Sequence, residues 1–133
     1  MYDRIRELEL IGHVLMPGAF DDVGDLLLAA NTFILPSYME GLSLSLLEAM
    51  ANHVHVIASD IAGNRQLINN NVHGRLVPVK EVDPLATAIL SAQTSDNSGM
   101  IAAAYQRVQQ EFSLESMARR HLQVFEDTLR NGA

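Results

Sequence analysis

Thr32-Phe33-Ile34-Leu35-Pro36-Ser37-Tyr38-Met39-Glu40-Gly41-Leu42-Ser43-Leu44-Ser45-Leu46-Leu47-Glu48-Ala49-Met50-Ala51 is the stretch around which this chain is organised. It opens on an apolar run cut off by a proline, as expected of a buried parallel strand. It ends on Leu46, Leu47, Ala49, Met50 and Ala51, which are strong helix formers. A strand, a short loop with a glycine and a helix N-terminus make up the usual ligand-binding corner of an open α/β sheet.

The chemistry of that corner narrows what it could hold. Gly41 lets the backbone approach a ligand closely and tolerates positive φ. The first free amides of the helix, around Ser43 to Ser45, offer an anion site backed by the positive end of the helix dipole. Glu40 lies before the helix and Glu48 inside it; a fully helical path between them would be roughly 12 Å long at ~1.5 Å per residue. A carboxylate accepts two hydroxyl hydrogen bonds well, so each glutamate could hold a vicinal diol, one on either side of an anion. Diol, diphosphate, diol describes a nucleotide sugar. A purely structural reading stays open beside it. Ser45-Leu46-Leu47-Glu48 matches a capping box with Ser45 as N-cap, and Glu40 is also well placed as a mere acid ahead of a helix. Two carboxylates could also serve a hydrolase as acid and base, which nothing else in the chain supports.

Outward from the corner, residues 54–59 are rich in β-branched side chains and read as the next strand. Residues 60–64 read as a loop, 65–69 as a short helix, and Asn69-Asn70-Asn71 with Gly74 as a turn cluster. Arg75-Leu76-Val77 is a last strand before Pro78. On the other side, residues 2–10 read as a helical lead-in, and Val14-Leu15-Met16 as a strand stopped by Pro17-Gly18. Asp21-Asp22 precede Val23, Leu26, Leu27 and Ala30, so an aspartate is expected to cap an amphipathic helix rather than join a metal or acid/base pair. Asp83 and Pro84 suit the N-cap and first position of a helix whose buried face carries Leu85, Ala88, Ile89 and Ala92. Two further helices are expected over 100–111 and 114–129. Ser113 is placed to cap the second, and Leu114, Met117, His121, Val124, Phe125 and Leu129 form its apolar stripe. The alternation implies an α/β domain over 1–133, a Rossmann-like parallel sheet of about four strands flanked by helices.

Composition excludes several function classes. With 133 residues and 48% hydrophobic content, the chain is large enough for one core of its own. It has no cysteine, hence no disulfide. A formal charge of −7 argues against nucleic acid as a partner and against electrostatic attachment to an anionic membrane. No apolar run approaches the ~18 residues of a transmembrane span, and Met1-Tyr2-Asp3-Arg4 carries no signal-peptide pattern. A soluble cytoplasmic chain is the expectation. There is no cysteine nucleophile, Gly-x-Ser-x-Gly, Walker A or Gly-x-Gly-x-x-Gly motif. His53 and His55 would face the same way on one strand, yet without a third ligand they make a poor metal site, and no metal is expected. His13, His73 and His121 read as structural. Gly63-Asn64-Arg65 follows a strand and could bring backbone amides or a guanidinium to a sugar or diphosphate; an ordinary glycine turn explains it as well.

Pro36-Ser37, Glu40-Gly41 and Leu47-Glu48-Ala49-Met50-Ala51 resemble the signature of the group 1 (family 4) glycosyltransferases of the GT-B fold. In that family two glutamates separated by seven residues lie in the donor-binding domain, as Glu40 and Glu48 do here. The similarity continues through Val56-Ile57-Ala58-Ser59-Asp60-Ile61-Ala62-Gly63-Asn64-Arg65 and His73-Gly74-Arg75-Leu76-Val77-Pro78. The resemblance implies a retaining transferase that moves a sugar from a nucleoside diphosphate sugar to an acceptor, generally without metal or other cofactor. Glu48 would bind the nucleotide ribose, Glu40 the transferred sugar, and the amides of Leu42, Ser43, Leu44 and Ser45 the sugar and diphosphate, with Gly41 also among the donor-binding residues. Gln66 stands where the family often has an acid, His53 and His55 where it usually has glycine and proline, and Ser43 where many relatives have glycine or proline. His53 is therefore expected to strain a helix C-cap.

The resemblance covers only about the last two-thirds of the C-terminal, donor-binding domain. The acceptor domain is missing from it, as are the first donor-domain strands with their basic Arg/Lys pair, which neither Arg4 nor Arg6 matches. In a sheet ordered 3-2-1-4-5-6 those strands would be central, leaving the Val14 strand without a neighbour and the Phe33 strand with an apolar edge. A fragment, a remnant or half of a split enzyme is expected. It would pair with an acceptor domain on another chain, or else self-associate or rearrange. The alternative function is a non-catalytic nucleotide-sugar-binding or interaction subunit.

Overall fold

The computed structural model describes residues 1–19 and 22–131. Three parallel strands, β1 (Thr32–Leu35), β2 (His55–Ser59) and β3 (Arg75–Val77), form a sheet in the order β1-β2-β3. The register sets Thr32 beside His55 and Ile57 beside Arg75. Every residue of β2 is buried, because helices cover both faces of this central strand. The connecting helices are α3 (Leu44–Ala51), α4 (Ala62–Arg65), α5 (Val82–Thr94), α6 (Ser98–Glu111) and α7 (Leu114–Asn131); α1 (Tyr2–Glu7) and α2 (Val23–Ala29) precede the sheet.

Alternation along β2 divides the core in two. Val56 and Ala58 meet Leu46, Ala49 and Met50 of α3 together with Ala104 and Val108 of α6. Ile57 points the other way, to Val77, Ala88 and the half-buried Leu85, Ile89 and Ala92 of α5. The expected inward face of α5 is therefore the observed one. The helix itself begins earlier than Asp83-Pro84 suggest: Glu81 takes the N-cap position, and Pro84 is the third helical residue. First-turn amides lack intrahelical partners, so proline fits there without losing a bond.

Among the described residues the sheet has three strands, close to the expected four. Val14 makes only an isolated bridge with Ile11, and Leu15 is 87% exposed. A strand needs a neighbour to pair its amides, and among the described residues none lies beyond β1. Ile34 is accordingly partly exposed on the edge strand. Asp22 caps α2 by accepting from the Asp25 amide; the other aspartate considered for that role, Asp21, lies outside the described residues. The short helix expected over 65–69 runs instead from Ala62 to Arg65, within the stretch read as a loop. It starts early because Asn64 is fully buried and its Nδ2 donates to the Ser59 carbonyl at 2.9 Å, tying this turn to the end of β2.

The link from α3 into β2 is a full Schellman motif. Asn52 is the C-cap; the His53 amide donates to Met50 O at 3.3 Å and the Val54 amide to Ala49 O at 3.0 Å. His53 occupies the left-handed position at φ 58° that glycine normally takes. Its ring stacks on Tyr105 of α6, centroids 4.0 Å apart, which offsets the strain. Among the described residues no helix is long and apolar enough to cross a membrane.

Candidate functional site

The strand β1 delivers the chain to Pro36 and Ser37 at its carboxyl end, and the Ser37 hydroxyl donates to Glu40 Oε1 at 2.7 Å. Glu40 is half-buried, so this bond orients a carboxylate that still reaches solvent. Gly41 and Leu42 follow, exposed, before Ser43 caps α3. Ser43 is almost fully buried, its Oγ accepts from the Leu46 amide at 3.4 Å, and it lies 3.1 Å from Ser45 Oγ. The capping box with Ser45 as N-cap is thus not formed. The helix starts two residues earlier, which puts Glu48 beyond the N3 position and out of reach of the cap amide. Glu48 is exposed on the first turns of α3. The amides of Leu44 and Ser45 precede the first intrahelical bond, Leu47 to the Ser43 carbonyl, and carry the positive end of the helix.

Two glycines play different parts. Gly41 does not adopt positive φ, and a Cβ placed on it would meet nothing within 4 Å. Its value is open space beside the loop, not backbone freedom. Gly63, in α4, is buried with the backbone of the first loop directly against it: a Cβ there would collide with the carbonyl oxygens of Gly41 and Glu40. The structure therefore brings Glu40, Gly41 and the Gly63-Asn64-Arg65 turn together, though the sequence separates them by more than an entire βα unit. Arg65 does not point a free guanidinium at this corner; it pairs with Asp60 through bonds of 2.6 and 3.0 Å. That partner holds the Asp60 carboxyl below the usual carboxylate range.

A model of the family described as glycosyl transferases group 1 matches residues 1–108. The chain belongs to the group 1 glycosyltransferases. It is similar to the UDP-Gal:alpha-D-GlcNAc-diphosphoundecaprenol alpha-1,3-galactosyltransferase of Escherichia coli, 32% identical over 89 residues, covering 67% of this chain and 23% of that protein. Similarity to the phosphatidyl-myo-inositol mannosyltransferase of Mycolicibacterium smegmatis is 33% over 113 residues, covering 80% of this chain and 29% of that one. The glycosyltransferase chain thus spans between 23% and 29% of the length of these two curated relatives. Among solved structures, the sucrose-phosphate synthase of Thermosynechococcus elongatus superposes with a TM-score of 0.86 at 28% identity, covering 98% of this chain and 34% of that one. Anabaena HepE, solved in complex with UDP, shares the fold with a TM-score of 0.88 at 22% identity, covering 95% of this chain and 35% of that one.

Beside the Glu40 loop, this glycosyltransferase domain has a cleft of about 380 Å³ at the carboxyl ends of all three strands. Pro36, Ser59 and Val77 line it together with Tyr38, Lys80 and Leu85. Lys80, at φ 66°, holds its Nζ 5.4 Å from the centre of the exposed Tyr38 ring. Sequence reasoning passed over both residues, because neither belongs to a motif and only the parallel register brings the turn after β3 beside the turn after β1.

The histidines build no metal site. His53 sits in the helix cap, outside β2, so it does not share a strand face with His55. Among the described residues no group of three or more potential ligands converges. His55 is buried with neither ring nitrogen bonded, and burial followed by the nearby Arg75 charge lowers its pKa. His73 has a structural role: its Nδ1 accepts from the Asn69 amide at 3.2 Å and lies 3.2 Å from Arg107, whose other nitrogen donates to the Gln66 carbonyl. Burial, then Arg107, lowers its pKa too. His121, on exposed α7, lies with Nδ1 2.9 Å from the Met117 carbonyl.

Proposed function

We propose that this chain is the donor-binding part of a retaining glycosyltransferase that transfers a sugar from a nucleoside diphosphate sugar. The observation that carries the reading is the Glu40-Gly41 loop seated on Gly63 directly ahead of the Ser43-capped helix. In this reading Glu48 accepts from the ribose diol, and the Leu44 and Ser45 amides receive the diphosphate, with Gly41, Leu42 and Ser43 lining the approach. Glu40, oriented by Ser37, holds the transferred sugar. The helix N-terminus stabilises the charge that grows on the diphosphate as the glycosidic bond breaks. Gly63, Asn64 and Arg65 support the loop from beneath rather than supplying the main charge. The similar galactosyl- and mannosyltransferases, by their names, use hexoses, and one names UDP-galactose as donor; a UDP- or GDP-linked hexose is the donor class to test. The acceptor half belongs to the rest of the assembly, on another chain or segment. A binding subunit without turnover rests on the same site and differs only in what completes the cleft.

Calorimetric titration of the chain with UDP- and GDP-hexoses, wild type against Glu48→Ala, tests this reading. Hydrogen bonds to a charged group contribute about 1.5–3 kcal/mol, so affinity should fall roughly 10- to 100-fold in the variant. Failure of the folded wild type to bind at millimolar ligand would overturn the proposal.

A further inference from the structure

Stability alone gives little reason for an asparagine at position 64. Asn64 is fully buried, and its Nδ2 donates to the Ser59 carbonyl at 2.9 Å. Its Oδ1, equally buried, has no hydrogen-bond partner among the described residues. An unbonded buried acceptor costs about as much as the other bond returns, so an apolar side chain would serve the core as well. What the amide does is hold α4. One helical turn has too few internal bonds to fix its own position, and its N-cap, Ile61, has no side-chain acceptor to offer. The buried ties of α4 converge on Asn64. Nδ2 reaches back to the end of β2, while the Asn64 carbonyl accepts from the amides of the core residues Leu67 and Ile68 at 3.0 and 2.8 Å. The Arg65–Asp60 pair is a second tie, but its side chains are 61% and 38% exposed, where an ion pair contributes little.

We propose, on the donor reading given above, that Asn64 is a positioning residue for the sugar half of the site. It holds Gly63 against the Glu40-Gly41 backbone, and so fixes where the Glu40 carboxylate meets the transferred sugar. The nucleotide half stands on a different element. Glu48 and the Leu44 and Ser45 amides belong to α3, which is fixed by the Ser43 cap and by its own buried Leu46, Ala49 and Met50. The Glu40 loop has Ser37 at its side and Gly63 beneath, where even a methyl group would strike the Glu40 and Gly41 carbonyl oxygens. When α4 loosens, the loop loses its seat while α3 keeps its cap and core. Hydrogen bonds between hydroxyls and a carboxylate are short and directional, so a small shift of Glu40 weakens them.

Calorimetric titration of the whole chain tests this, with the UDP- or GDP-hexose that wild type binds set against UDP or GDP alone. Asn64→Ala should weaken the hexose donor about tenfold, the scale of one charge-assisted hydrogen bond. Affinity for the bare nucleotide should stay within about twofold. In a Glu40→Ala background, Asn64→Ala should cost no more than about twofold, because the carboxylate it positions is gone. NMR reads the same coupling without any substitution. In wild type the Asn64 side-chain amide protons should shift on saturation with the hexose donor and stay in place with the bare nucleotide. Circular dichroism checks that the variants fold; if Asn64→Ala does not, the NMR measurement decides. Equal losses for the two ligands, an undiminished loss without Glu40, or an unmoved Asn64 signal would overturn the assignment and leave the donor reading intact. A folded wild type that binds neither ligand would overturn both.

Discussion

Replacing Gly63 with alanine should damage stability and site together, whereas the same change at Gly41 should damage only the site. A Cβ on Gly63 points into the carbonyl oxygens of Glu40 and Gly41. Those are backbone atoms held between β1 and the Ser43 cap, so they cannot swing aside as a side-chain tip would. Overpacking of this kind costs about 1–3 kcal/mol. With m-values of about 1–3 kcal/mol/M for small proteins, the urea midpoint should drop on the order of 1 M. The displaced loop carries Glu40, so donor binding should weaken as well. Gly41 is the contrasting case: its Cβ would meet nothing, its φ is not left-handed, and alanine narrows the unfolded ensemble. Gly41→Ala should therefore hold stability or raise it by up to ~1 kcal/mol, while filling the open space that the proposed donor would enter. Urea melts and donor titration on the two variants give four numbers. The reasoning fails if Gly63→Ala melts like wild type, or if Gly41→Ala binds donor with unchanged affinity.

Ser43→Ala should lose about 1 kcal/mol through the missing cap, and Ser43→Gly only a few tenths; equal urea midpoints for the two would show that the Ser43 hydroxyl does not cap α3. His53→Gly removes the left-handed strain and the Tyr105 stack together, whereas His53→Ala keeps the strain and loses the stack. The glycine variant should be the more stable by about 1 kcal/mol, as read by thermal melting. His55 and His73 both have folded pKa values lowered from the ordinary 6.5. Below that pH the unfolded chain takes up protons that the folded chain resists. The stability they contribute is complete above pH 6.5 and is lost as pH falls through their folded values. His55→Leu should flatten this slope in urea melts without abolishing it, because His73 still titrates; an unchanged slope would refute the role of His55.

Much of this domain was legible in the sequence because its signals are local. The apolar runs of β1, β2 and β3 and the inward face of α5 each depend on residues a few positions apart. So do the Ser113 cap and the unusual His53 at the end of α3. Pairing was legible only through the family resemblance, which left the Val14 strand without a neighbour and the Phe33 strand at an edge. Val14-Leu15-Met16 has strand composition, but a strand exists only where a neighbour takes up its hydrogen bonds, and composition carries no information about neighbours. The start of α3 was misplaced for a related reason: Ser43 and Ser45 are equally good caps in isolation, and burial of Ser43 chose between them.

The site divides along the same line. Glu40, Gly41 and Glu48 stand out in one short stretch, since the loop-to-helix turn that presents them is a local structure. That Gly63 lies beneath the Glu40-Gly41 backbone, that Arg65 is held by Asp60, and that Tyr38 shares a cleft with Lys80 follow from parallel strands set side by side. Sequence alone determined the strand-loop-helix corner and its two carboxylates, because backbone propensity and capping act over a few residues. Tertiary structure decided what supports that corner and which apolar surfaces stay uncovered, because parallel pairing joins residues that no local interaction relates.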